Sequence, residues 1–258
     1  ALYYALFSWT IYKIKQKKSL SRQQLSLFYI PVLWVFLEWL RSGLVTGFPW
    51  ILLGYPMIET PLAGFAPITG IYGLSLLVIS IAALLLARIK ALFSLGSIAV
   101  IFICGVLLGQ LSWSEPQGKA LSVALIQGNV NQVIKWDRQQ LEKTKQLYIA
   151  MSKDQWQAND LLVWPENAIP TFYHNLASGF YHDLELQAKR TQTEFITGLP
   201  IYNEQTGKYY NSMINLGGKK SGQYYKSHLV PFGEYVPLAS LIRGLMHFFN
   251  MPMSGFSA

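Results

Sequence analysis

Three ionisable side chains in the second half of the chain stand where chemistry could be done. Glu166 ends Asp-Leu-Leu-Val-Trp-Pro-Glu (160–166), an apolar strand that runs into a Trp-Pro pair. Functional groups of α/β domains collect where strands meet loops. A carboxylate beside Trp164 is expected to be partly desolvated, which suits a general base. The same residue would serve equally as a loop carboxylate that caps the next segment. Lys226 follows Tyr224-Tyr225 on a strand, and the chain continues Ser-His-Leu-Val-Pro-Phe-Gly-Glu. A lysine reaching into a cleft supplies a fixed positive charge for an oxyanion, whereas one on a solvated edge strand only discourages aggregation. Glu234 closes that segment, past Pro231 and Gly233, which hold the loop in a bend. Trp136 comes after the turn Gly128-Asn129 and reads either as an aromatic plug of the core or as a side chain at a site.

Other chemistries find little support. His174, His182, His228 and His247 lack metal-ligand spacing and read as structural, so neither a metal nor a cofactor is expected. Nucleophile-elbow, phosphate-loop and dinucleotide glycine patterns are missing. The one cysteine, Cys104, excludes an internal disulfide and a cysteine-based zinc site. It sits in the apolar run Ile-Cys-Gly and reads as a packing residue.

The elements that must position these residues differ between the two halves. Residues 1–114 carry eight Lys/Arg and two Asp/Glu, and residues 115–258 carry thirteen and eleven. The positive charge of the first half lies in short clusters between apolar runs, which fits the positive-inside rule of membrane proteins better than nucleic-acid binding. Residues 1–12 are apolar but too short to span, and read as the tail of a helix. Residues 23–40, with Pro31 inside, come near a spanning length, and 68–87 and 91–112 reach it. Residues 42–64, rich in Gly, Pro and aromatics, read as a loop in the membrane interface with Trp50 and Tyr55 at headgroup level. Glu38 and Arg41, three apart on a helix end, are expected to pair. The basic connections Lys13–Arg22 and Arg88–Lys90 should face the cytoplasm, which places everything after about residue 114 outside it.

A linker at Ser114–Gly118 precedes a change of periodicity. Residues 121–127 read as a buried strand, 137–157 as an amphipathic helix, 160–166 as strand, 180–193 as helix and 195–200 as strand. Residues 210–216 and 222–230 flank Gly217-Gly218-Lys219-Lys220, a hairpin signal. The expected architecture is a multi-pass transmembrane α-helical region (1–114) followed by a layered α/β domain (115–258).

The ordered set Ala-Leu-Ile-Gln-Gly-Asn, Lys-Trp-Asp, Trp-Pro-Glu, Thr-Gly and Tyr-Tyr-Lys-Ser-His-Leu-Val-Pro-Phe-Gly-Glu-Tyr-Val-Pro resembles the nitrilase superfamily. Together with Glu-Trp-Leu-Arg, Thr-Gly-Phe-Pro-Trp and Gly-Tyr-Pro in the apolar half, it is more narrowly similar to the apolipoprotein N-acyltransferases, over almost the whole chain. The resemblance implies an α-β-β-α sandwich and a Glu-Lys-Cys triad working by ping-pong acyl transfer. Glu166 would be the general base, Lys226 the cationic stabiliser, Glu234 a further essential carboxylate and Trp136 a substrate-contacting tryptophan. A phospholipid would be the acyl donor and a diacylglyceryl-cysteine lipoprotein the acceptor, at the periplasmic side of a bacterial inner membrane. The family's nucleophilic cysteine and last membrane helix would lie beyond Ala258. The first residue is Ala, not Met, inside an apolar run already under way, so both ends are expected to be truncated, and these 258 residues alone are expected to be inactive. A membrane-tethered amidase and a non-catalytic nitrilase-like binding protein are the alternatives.

Overall fold

The computed structural model describes residues 2–17, 20–44, 47–132, 134–218, 222–231, 233–236 and 256–257. The chain divides into two compact units, Ala1–Gln117 and Gly118–Ala258. The division falls inside the expected linker.

The first unit is helical. Helix α1 spans Leu2–Lys17. It runs past the expected apolar tail and carries Lys15 and Lys17 on its last turn, where cations complement the helix dipole. A capping box starts the next helix: the Gln24 amide donates to Ser21 Oγ at 3.1 Å, and the Ser21 amide donates to the Gln24 side chain at 3.0 Å. Helix α2 covers Arg22–Gly43 and contains a wider, π-type turn at Leu25–Tyr29, just before Pro31. Helix α3 (Ala66–Leu86) is entered through two 3-10 turns, Tyr55–Glu59 and Pro61–Phe65. Each turn places a proline near its start, where the missing N–H would have had no partner anyway. Helix α4 is Ala91–Gly109. Three segments are long and apolar enough to cross a membrane: Arg22–Gly43, Pro61–Leu86 and Ala91–Gly109, with mean hydropathies of 1.3, 2.2 and 2.6.

Small residues let backbones meet in this unit. A Cβ on Gly105 would lie 2.4 Å from the Pro61 carbonyl oxygen, so any side chain there would push the 3-10 turn off α4. Two expectations are corrected. The irregular stretch is shorter than 42–64, because α2 persists to Gly43 and Pro61 onward belongs to an apolar span. Glu38 and Arg41 do not form one of the described ion pairs. Each reaches the loop instead: Glu38 Oε1 accepts from the Leu53 amide at 2.9 Å, and the Arg41 guanidinium donates to the Ile51 carbonyl.

The second unit holds one mixed five-stranded sheet in the order β1-β2-β3-β4-β5. Strand β1 (Val123–Leu125) pairs parallel with β2 (Leu161–Val163), and β2 pairs parallel with β3 (Glu194–Asn203). Strand β4 (Lys208–Leu216) runs antiparallel to β3, and β5 (Gly222–Tyr225) antiparallel to β4, as the hairpin signal requires. Lys219 and Lys220 of that turn lie outside the described residues. Helix α5 (Leu141–Ser152) forms the β1-to-β2 crossover and α6 (His182–Thr191) the β2-to-β3 crossover. Apolar side chains from strands and helices make one core, with Leu162, Trp164, Ile169, Phe195 and Leu199 fully buried. The first strand departs from expectation. As an edge strand it has a neighbour on one side only, and Leu125 is 75% exposed rather than buried.

Candidate active site

Trp164 fixes the carboxyl end of β2. Its ring is fully buried, its Nε1 donates to Ser152 Oγ at 2.8 Å, and its face meets Phe195 edge-on at 4.9 Å. Pro165 then turns the chain, and Asn167 takes a left-handed φ of 50°. The Glu166 turn lies against β3 at Gly198, where an added Cβ would sit 2.6 Å from Glu166 Cα. Only glycine permits that approach. The Ala168 amide donates to the Gly198 carbonyl at 3.2 Å and closes the contact.

Lys226 is the first residue beyond β5. Its amide donates to the Asn211 carbonyl at 2.8 Å, so the hairpin ladder carries one step past the strand. That register sets Lys226 across from Asn211 of β4. The Lys226 Nζ lies 3.2 Å from Glu166 Oε1 and 2.9 Å from Glu234 Oε2. Asn211 Nδ2 donates to both Glu166 Oε1 and Glu234 Oε1. Glu234 Oε2 also accepts from the Val230 amide at 2.8 Å, and the Glu234 amide donates to the Val230 carbonyl at 2.9 Å, so the two residues are tied at both ends. Residues up to 60 positions from their bonding partner are thus joined through one ammonium and one carboxamide.

The two carboxylates have different surroundings. The Glu234 side chain is 12% exposed and that of Glu166 is 54% exposed. Glu234 has its lone pairs taken up by Lys226, Asn211 and Val230, whereas Glu166 presents its carboxylate outward. Desolvation of Glu166 by Trp164 is accordingly not found: the indole points into the core, and the turn at Pro165 sends the carboxylate the other way.

Burial opposes the charge on Glu234, but the Val230 amide, Lys226 and Asn211 outweigh it and hold the carboxyl below the usual glutamate value. Burial likewise opposes the charge on Lys226, and the Glu234 bond with the charges of Glu166 and Glu234 reverses the balance, holding the ammonium above the usual lysine value. The cluster therefore keeps a permanent cation beside a reachable carboxylate. Chemically, that is a proton acceptor next to a group able to stabilise negative charge.

Trp136 is 52% exposed, which rules out the core-plug reading. Its neighbour Lys135 donates to the Glu166 main-chain oxygen at 3.4 Å. Partial burial lowers the Lys135 pKa, against the raising effect of the Glu166 charge. Asn211 and Lys135 were not singled out by sequence. A polar residue beginning the apolar run Asn-Ser-Met-Ile-Asn-Leu, and the Lys directly before Trp136, were the available signals. Cys104 lies in α4, within the other unit. Among the described residues there is no cluster of His, Cys, Asp and Glu suited to a metal.

Residues 1–84 match the family described as the apolipoprotein N-acyltransferase N-terminal domain, and residues 122–253 match the carbon-nitrogen hydrolase family. The chain is 36% identical to the apolipoprotein N-acyltransferase of Methylococcus capsulatus, covering 100% of this chain and 51% of that protein. It is 39% identical to that of Coxiella burnetii, over 97% of this chain and 51% of the relative. Against the Vibrio parahaemolyticus protein of the same name it is 40% identical, over 100% and 52%. The chain thus spans about half the length of these curated relatives. Among solved structures, an N-terminal amidase with a Gln-Gly peptide aligns at a TM-score of 0.31 and 19% identity over 43% of this chain and 28% of that one, a likeness too slight to carry an argument. A helical region and a nitrilase-type α/β domain joined in one polypeptide fit these matches, and the chain belongs to the carbon-nitrogen hydrolase family, with a first part similar to the N-terminal domain of apolipoprotein N-acyltransferases.

Proposed function

We propose that this chain supplies the base and the cation of an enzyme that moves an acyl chain from a phospholipid to the N-terminal amine of a diacylglyceryl-cysteine lipoprotein. The observation that carries the reading is the convergence of Glu166, Lys226 and Glu234 on one another in a chain that also has three apolar helices of spanning length. Lipid substrates give such helices a purpose; a soluble amide would not need them.

In this reading a cysteine outside these residues is the nucleophile, since their one cysteine lies in α4. Glu166 takes the thiol proton and the thiolate attacks the ester carbonyl, forming the C–S bond. Lys226 holds the tetrahedral oxyanion. Collapse breaks the C–O bond, and the proton on Glu166 passes to the departing lysophospholipid oxygen. In the second half, the acceptor amine attacks the thioester and Glu166 takes its proton. The C–S bond then breaks, and the proton returns to sulfur. Glu234 keeps Lys226 charged and aimed, and half-exposed Trp136 offers a face for substrate. The clusters at Lys13–Arg22 and Arg88–Lys90 would face the cytoplasm, which puts the α/β unit on the periplasmic side of the inner membrane.

The test uses the complete protein with two donors. Phospholipid vesicles carrying a labelled acyl chain should leave a hydroxylamine-labile label on the protein, and a diacylglyceryl peptide should remove it. Turnover of a water-soluble amide, with no label from vesicles, would instead establish the tethered amidase.

A further inference from the structure

The helical unit contains a polar site that the acyl-transfer chemistry does not use. Glu38 is 5% exposed, on the last turns of α2. Its Oε1 accepts two hydrogen bonds, from Trp34 Nε1 at 3.1 Å and from the Leu53 amide at 2.9 Å. Its Oε2 is buried and has no partner, and so is the Nε of Arg41, one turn further on. Both residues line the same cavity, about 20 Å³ in volume, walled by Tyr4, Phe7, Trp34 and Leu37. A buried carboxylate oxygen and a buried guanidinium N–H without partners are each costly, more so among aromatic walls. One needs a donor and the other an acceptor. A hydroxyl is the smallest group that offers both at once, and a volume of this size accommodates one water molecule.

The same two side chains fasten the loop that follows α2. Glu38 holds the Leu53 amide and Arg41 holds the Ile51 carbonyl, while the Phe48 amide donates to the Arg41 carbonyl at 2.9 Å and the Gly54 amide to fully buried Ser75 Oγ at 2.9 Å. So held, the loop buries Leu52 at 4% exposure and presents the stacked Phe48 and Trp50 rings outward, at 50% and 72%. We propose that Glu38 Oε2 and Arg41 Nε together bind one hydroxyl, from a water molecule or a lipid headgroup, and that this bridge locks the loop so that its aromatic tip stays presented. The hydroxyl donates to the carboxylate and accepts from the guanidinium, so it transmits the attraction between two charges that the backbone contacts hold apart.

The complete protein in nanodiscs tests this in two arms, one of phosphatidylglycerol, whose headgroup carries hydroxyls, and one of phosphatidylcholine, whose headgroup carries none. A high-resolution structure should show density within hydrogen-bond distance of both atoms. An isolated peak in both lipids identifies water, and density continuous with a headgroup in phosphatidylglycerol alone identifies lipid. Absence of density in both, or a direct Glu38–Arg41 ion pair, overturns the proposal. The lock is read separately, by mass spectrometry of maleimide labelling on the peptide that carries Leu52→Cys, in a Cys104→Ala background, so that the proposed nucleophilic cysteine is counted apart. Glu38→Leu and Arg41→Leu should each speed labelling about tenfold, and the double variant should fall well short of the product of the two, because either change removes the bridge and only the separate Leu53 and Ile51 contacts add. A double-variant rate equal to the product of the two single effects would mean that the two side chains share nothing and would overturn the shared site.

Discussion

Polar side chains are used differently in the two units. In the helical unit they are mostly spent on backbone. Ser75 Oγ accepts from the Gly54 amide, Ser94 Oγ donates to the Leu84 carbonyl, and Glu38 and Arg41 hold the loop at Leu53 and Ile51. In the α/β unit, Asn211, Glu166, Glu234 and Lys226 bond one another. A side chain committed to a main-chain group serves architecture, because its proton and charge are fixed by the fold. A network of ionisable side chains with one half-exposed member retains a proton acceptor and a cation that a substrate can reach. The carboxylates of the two units therefore teach opposite lessons: Glu38 is buried and fastens a loop, while Glu166 is open.

That contrast can be broken at several points, the largest effect coming first. Trp164→Ala should cost about 3–5 kcal/mol of stability, because it empties the centre of the α/β core and strands Ser152. Denaturant unfolding reads this directly. Trp136→Ala should stay within about 0.5 kcal/mol of the parent, as expected for a half-exposed side chain, and lower acyl transfer instead. Equal destabilisation by the two would remove the distinction between a core tryptophan and one at a site.

Lys226→Ala in the complete enzyme should reduce acyl-adduct formation by roughly 10²–10³-fold, the range for loss of one oxyanion-stabilising group, with the protein still folded but less stable because Glu234 loses its ion-pair partner. An unaltered rate would strike Lys226 from the chemistry. Gly198→Ala should move the Glu166 turn, since the new methyl would overlap Glu166 Cα. We expect a loss of about 1–3 kcal/mol, the usual range for overpacking, together with slower adduct formation. Stability lost without any change in rate would show that Glu166 does not need its exact placement.

The smallest effect is the pH dependence of stability. Glu234 is held below its ordinary 4.5, so its contribution is complete above about that pH and fades as pH falls through the lower folded-state value. Lys226 is held above its ordinary 10.5, so its contribution is complete below that pH and fades as pH rises through the higher value. Between the two, stability from this pair should be flat. Denaturation of Glu234→Gln across the acid range should show a shallower decline than the parent.

What sequence makes legible follows from how local each signal is. The spans of α3 and α4 are continuous apolar runs of about twenty residues, and nothing distant is needed to see them. The β4–β5 hairpin announces itself through adjacent glycines. Glu166, Lys226 and Glu234 were recognisable through the motifs around them, but their surroundings were not. Trp164 and Glu166 are two apart and would share a face if the strand continued; it ends at Val163, and the proline turn separates them. Asn211 was invisible because its partners are 45 and 23 positions away and meet it only through sheet register. The Glu38–Arg41 expectation failed for a similar reason: spacing placed them together on α2, while the loop beyond it supplied better partners.

The central claim is that Glu166 is the proton acceptor of the acyl transfer. Intact-mass measurement of the complete protein after incubation with phospholipid vesicles tests it most directly, with Glu166→Gln beside the parent. The parent should gain the mass of one acyl chain while Glu166→Gln, folded to the same unfolding midpoint, gains none on the same timescale. An equal adduct in Glu166→Gln would contradict the account, leaving the cluster as an ion-pair network that shapes the sheet edge without carrying the reaction.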